Sequence, residues 1–241
     1  MKTRTAAAAA AICAALAAAA HVALVKASPV KTPAVGEGVI NALGGLRSIA
    51  SEAVWFRAER MQEQCRFGEL AQLASVLTFL EPHEPEVWIY SAWNLAYNVS
   101  VKMPSPEDRW PWIAEALRLL RDEGLKWNPS SARICREIAF IFEIKIGTDI
   151  DAAAPIYRRE WKKLVEAAAA SGDWASLGMD EARMRALEKE TGMDDWTNPE
   201  TSAMYWARRG LETADDSDRP FLNEIVRLSR ILYDRKTKDA K

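Results

Sequence analysis

The sequence predicts an all-α fold, and three observations carry that prediction. Across 241 residues, 49% of them hydrophobic and 27% charged, apolar side chains recur at three- and four-residue spacing over long windows. Runs of alternating β-branched residues, the usual mark of half-buried strands, are nearly absent. Prolines and polar pairs interrupt the periodic windows at similar intervals, as they do between consecutive helices. The length suffices for one or two domains with a sizeable core.

At the amino terminus, Lys2 and Arg4 precede a charge-free run from Thr5 to Val25, and His21 interrupts it. A basic flank followed by an apolar stretch is the build of an export signal. Thirteen of the twenty residues from Ala6 to Val25 are alanine, which contributes little to membrane insertion. Twenty helical residues nevertheless span about 30 Å, enough to cross a bilayer. Small residues suited to cleavage stand at Ala18–Ala20 and at Ala27. Residues 1–27 are therefore expected to be a cleaved signal peptide or a retained anchor. Either places the remainder in the periplasm or facing it from the inner membrane. Without them the chain holds 29 basic and 34 acidic side chains, a net charge of about −5. Residues 28–45, with two prolines in Ser28–Ile40 and no sustained period, read as a linker, and 46–241 as the helical domain.

Within that domain, Val54, Ala58 and Met61 make one apolar face, and Leu70, Leu73, Ala74 and Leu77 make the next. Pro82 and Pro129 each close a window and open another, since proline ends one helix and suits the first turn of its successor. Trp88 and Ala92 follow Pro82 by six and ten residues, and Cys135 and Ala139 follow Pro129 by the same steps. An insertion, Asn98–Glu107, is expected between the helices of the second unit, with the second helix near Arg109–Glu123. A third unit pairs the helix of Cys135, Ala139 and Phe142 with Ala152–Ala169. A fourth pairs Pro199–Ala214, carrying Ala203 and Ala207, with Phe221–Tyr233.

A large residue, a small one four later, aromatics near the turn and a closing proline resemble the tetratricopeptide repeat. Val54–Pro82 follows that pattern almost position for position, with Ala58 in the small-residue slot. The phrases Leu43–Arg47, Ala92–Asn98 and Asp195–Glu200 further resemble an exported bacterial family of such proteins, over Leu43 to about Leu211, with no assigned activity. The resemblance implies a right-handed superhelix of about four helical hairpins. One hairpin cannot bury its apolar face, so neighbours stack, and a small residue permits close contact. Ala58, Ala92 and Ala139 are expected to be buried at helix crossings.

In the same frame the first helices line a concave groove. Glu52, Trp55 and Glu59 face it from unit one, Glu86, Ile89, Trp93 and Tyr97 from unit two, and Arg133, Arg136, Phe140 and Glu143 from unit three. Of these, Trp55, Glu59, Ile89, Trp93, Tyr97, Arg136 and Phe140 are the candidate contacts for a protein or peptide partner. Aromatic and arginine side chains supply most of the energy at such surfaces. The ten tryptophans are otherwise expected mainly as fillers between helices. The expected function is a non-enzymatic interaction scaffold of the cell envelope.

Other chemistries find little purchase. Net charge −2 with no one-sided basic excess argues against nucleic acid, and membrane contact is expected only through the amino-terminal segment. Two histidines and three cysteines offer neither a metal site nor a disulfide scaffold. Cys65 and Cys135 fall on non-adjacent units and are expected to be free thiols. No cofactor is expected, since Gly44–Gly45 lacks the spacing and lysine of a phosphate loop. The rival is a glycan-cleaving enzyme of helical superhelix type. Its carboxylate would come from Glu52 or Glu59, or from the pair Asp194–Asp195, and burial of one in a deep polar pocket would favour it.

Overall fold

The computed structural model describes residues 45–239. The expected signal or anchor and nearly all of the linker lie outside the described residues. Described residues belong to one compact unit, Gly45–Lys241, and it is all-helical, with no strand among them. Helices α1 (Gly45–Glu63) and α2 (Phe67–Leu80) form a hairpin, whose turn holds Cys65 at φ +56°. Next come α3 (Pro85–Trp93), α4 (Trp110–Arg118), α5 (Ala132–Phe140), α6 (Ala154–Ser171) and α7 (Glu181–Thr191). The last two are α8 (Pro199–Leu211) and α9 (Arg219–Asp239). None is long and apolar enough to cross a membrane.

Packing follows chain order with one skip. Helix α1 lies on α2, α2 on α3, α3 on α4, and α5 touches both α3 and the wide turn Leu119–Gly124 that follows α4, while the broadest contacts are α8 with α9 and α8 with α5. Ala58, Ala92 and Ala139 are each 0% exposed, as their spacing predicts, and so are Ala203 and Ala207. The α5–α8 seam explains why small residues sit there. A Cβ added to Gly210 of α8 would stand 3.1 Å from the Cys135 Cβ of α5 and 3.0 Å from Leu222 of α9. Enlarging Ala139 to leucine is expected to overpack its buried site by about 1–3 kcal/mol. A urea titration reads it as a lowered midpoint at unchanged slope, whereas the same change at exposed Ala170 leaves the midpoint in place.

The proline loops tie successive units together. The Pro82 carbonyl accepts from Trp88 Nε1 at 2.8 Å and from Asn128 Nδ2 at 2.9 Å, so both Pro-closed turns share one acceptor. His83 sits beside them, 5.2 Å from the Trp127 ring. Side-chain caps start α5 at Ser131, α7 at Asp180 and α8 at Asn198. Cys65 is exposed, Cys135 is buried, and both are free. Burial pushes the Cys135 thiol up to about 11.

Three features depart from the sequence reading. First, the expected insertion Asn98–Glu107 is mostly helix, because α3 continues through a wide turn at Asn94–Val99 and a tight one at Ser100–Lys102. The Ser100 hydroxyl donates to the Ala96 carbonyl at 2.6 Å and holds it together until Pro104 and Pro106 end it. Second, α7 occupies a stretch with no predicted helix. It buries only Met184 and Leu187, too few to show a period. It is fastened by Tyr205, whose hydroxyl accepts from the Asp180 amide at 2.8 Å. Third, Glu143 does not face a groove but is 4% exposed. The Gly147 amide donates to Phe142, five residues back, at 2.9 Å. This wide turn over Ile141–Ile146 advances each side chain around the axis relative to a regular helix.

Candidate functional site

The first helices α1, α3 and α5 carry the candidate contacts on neighbouring turns. Trp55 of α1 meets Tyr90 of α3 edge-on, with ring centroids 4.9 Å apart, and the Tyr90 hydroxyl donates to Gln62 Oε1 at 3.0 Å. One turn further along α3, Trp93 lies 4.7 Å from Tyr97 at 33°. Trp93 is 43% exposed, whereas Trp55, Ile89, Tyr97 and Phe140 are half-buried against the core. Glu59 is exposed. Arg136 pairs with Asp218, and its guanidinium stands 5.4 Å over the Phe221 ring, which is 62% exposed. Arg133 of α5 bridges back to Glu86 of α3 at 2.6 Å.

The residue that sequence reasoning missed is Glu137. It is 8% exposed on α5, and its Oε1 has no hydrogen-bond partner among the described residues. Burial raises its carboxyl to about 7, with Arg136 pulling it down and Glu86 pushing it further up. The enclosed Tyr97 hydroxyl likewise has no partner, and burial with the nearby Glu137 charge holds it well above the usual phenol range. Above the Tyr97 ring stands Lys145 Nζ at 5.3 Å. The signal was available: Ile134, Glu137 and Ile141 share one helical stripe, so a carboxylate sits where an aliphatic side chain belongs.

Two further buried charges lie at the other end of α5. Asp151 accepts from Lys145 at 2.8 Å, from Arg109 at 3.0 Å, from the Tyr157 hydroxyl at 2.9 Å and from the Ala153 amide at 3.0 Å. Glu200 of α8, 0% exposed, pairs with Lys236 of α9 at 2.6 Å. Burial raises Glu143 to about 7, and the charges of Glu224 and Glu200 add to it. Every partner in the Asp151 cluster is provided by this chain, so the cluster reads as a staple between α4, α5 and α6.

The rival's carboxylates are not buried. Glu52 and Glu59 are exposed, and so are Asp194 and Asp195. No group of three or more histidine, cysteine or acidic side chains suited to a metal occurs among the described residues. Comparison with protein-family models, with curated proteins and with solved structures finds no match for this chain.

Proposed function

We propose that the chain is a non-enzymatic interaction scaffold, a right-handed tetratricopeptide-like stack whose first helices hold a peptide or partner protein. The observation that carries it is Trp93. A tryptophan left 43% exposed and packed at a tilt against Tyr97 is a large apolar surface of the kind that anchors partners. Trp55, Ile89 and Phe140, on the same set of first helices, are also incompletely covered. The pairing of the Pro82 and Pro129 turns and the buried alanines support stacking of like units. The basic flank and alanine-rich run of residues 1–25 support export, which puts the partner in the periplasm.

Crosslinking the full chain in its native cells tests this reading. Trp93→Ala is expected to remove most captured protein while helicity and melting temperature stay near wild type. Undiminished capture by Trp93→Ala together with Phe140→Ala sinks it.

Glu137 gives the glycan-cleaving reading its one specific support, because a carboxyl held protonated near pH 7 is what a general acid needs. Release of soluble sugars from a peptidoglycan suspension by the wild type, lost in Glu137→Gln, would establish that reading instead.

A further inference from the structure

We infer that the outer side of α9 is a self-docking face, through which two copies of the chain pair antiparallel about a twofold axis. This face lies on a different helix from Trp93, so it stands or falls apart from the contacts proposed above. Helix α9 is apolar on two sides. On the inner one, Leu222, Ile225 and Tyr233 are at most 6% exposed, where the helix rests on α8 and α5. On the outer one, Phe221 is 62% and Ile231 41% exposed, with half-buried Leu228 between them. Arg136 meets one face of the Phe221 ring at 5.4 Å, and most of the ring still faces solvent.

The spacing on that side suits a seam between two helices. Phe221, Glu224, Leu228, Ile231, Arg235 and Lys238 follow at alternating three- and four-residue steps, the interval that keeps a stripe turned towards a partner helix. Charge then fixes the orientation. In a parallel pair Glu224, Arg235 and Lys238 would each oppose their own copies, which is repulsive. In an antiparallel pair with the axis between Ser229 and Arg230, Leu228 meets the partner's Ile231 and Glu224 meets the partner's Arg235. Phe221 then meets the partner's Lys238, an ammonium against an open ring, and Arg227 flanks the seam opposite the partner's Asp234. Each of these contacts occurs twice. Arg227, Arg230 and Lys236 are matched within the chain to Glu224, Asp234 and Glu200, whereas Arg235 and Lys238 have no ion-pair partner among the described residues. Glu224 and Arg227 are each more than half exposed, so their pairing is weak and leaves Glu224 able to take a second cation.

The same residue decides against an anionic membrane as the occupant. Glu224 stands in the stripe between Phe221 and Leu228, where it would be pressed against lipid phosphates, while a second copy brings Arg235 to it. From Phe221 to Lys238 the stripe rises about 26 Å. One helix-on-helix contact of that length lies at the low end of specific interfaces, so a reversible dimer with Kd of about 10 μM is expected.

Sedimentation equilibrium of the full chain between about 1 μM and about 100 μM tests the pairing and is expected to show monomer giving way to dimer. Ile231→Glu puts two carboxylates into the central layer and should weaken the dimer at least about tenfold. Its helicity and melting temperature should stay near wild type, because the side chain it replaces is 41% exposed. Arg235→Glu and Glu224→Lys should each weaken the dimer about tenfold by setting like charges face to face. The double variant, which exchanges the two charges, should regain most of the loss. Trp93→Ala should leave dimerisation unchanged. A chain that stays monomeric throughout, a dimer that survives Ile231→Glu, or a double variant no better than the single ones overturns the twofold pairing. So does a monomer that binds phosphatidylglycerol vesicles and loses them with Ile231→Glu, which would make the face a membrane contact.

Discussion

Replacing Asp151 by asparagine is expected to destabilise the fold by about 3–5 kcal/mol at neutral pH, a cost typical of stripping one partner from a buried ion pair. Lys145 is only 6% exposed and donates to Asp151 at 2.8 Å, so the neutral amide leaves its ammonium enclosed without a counter-charge. Arg109 and the Tyr157 hydroxyl lose the same acceptor. The damage spreads because these donors stand before α4, in the wide turn of α5 and on α6. Burial alone raises the Asp151 carboxyl, but the bonds from Lys145, the Ala153 amide and Tyr157 outweigh it and hold the group at about 2.

The sign follows from that depression. The unfolded carboxyl titrates near 3.9, so its contribution is complete above that value and disappears as pH falls towards 2. Urea midpoints should therefore differ widely between wild type and Asp151→Asn at pH 7, and converge near pH 2. Adding Lys145→Met to Asp151→Asn should restore part of the loss, since it removes the stranded charge. Equal midpoints at pH 7 would show the cluster to be a surface ornament, whatever its distances.

The parts of this fold that periodicity encodes were legible in advance. Ala58, Ala92 and Ala139 repeat at matched distances from aromatic neighbours and closing prolines, and each is fully buried. What escaped was whatever breaks the period. Helix α7 has two buried residues in eleven, and only its ends, Asp180 as cap and left-handed Gly192 as stop, announce it. The wide turns at Asn94–Val99, Leu119–Gly124 and Ile141–Ile146 leave no mark in a three-and-four count, yet one of them carries Glu143 inside. The candidate contacts could be named from the sequence as positions, but not their pairing, because whether Arg136 is free or matched to Asp218, 82 residues away, depends on how α9 returns to α5.

The same blind spot yields the second large effect, a stability that falls as pH rises through neutrality. Glu137 and Glu143 are 8% and 4% exposed, each has an oxygen without a partner, and each carboxyl is raised to about 7. A raised acid binds its proton more tightly in the fold than in the unfolded chain. Its contribution is thus fully present below the unfolded value of about 4.3 and is lost as pH climbs through the folded value. The shift amounts to at most about 4 kcal/mol per glutamate. Asp151 acts in the opposite direction, but only below about pH 4, so the two slopes bracket a maximum in mildly acidic solution. Urea midpoints between pH 4.5 and pH 8.5 are expected to decline steadily. Glu143→Gln should flatten part of the decline and exceed wild type at pH 8.5, because an amide keeps the shape of the protonated acid and cannot ionise beside Glu200. Glu137→Gln should flatten the remainder. A wild-type midpoint that rises or stays level over this range, or glutamine variants weaker than wild type at pH 8.5, would mean that both carboxylates ionise freely and that the interior around α5 is open to water.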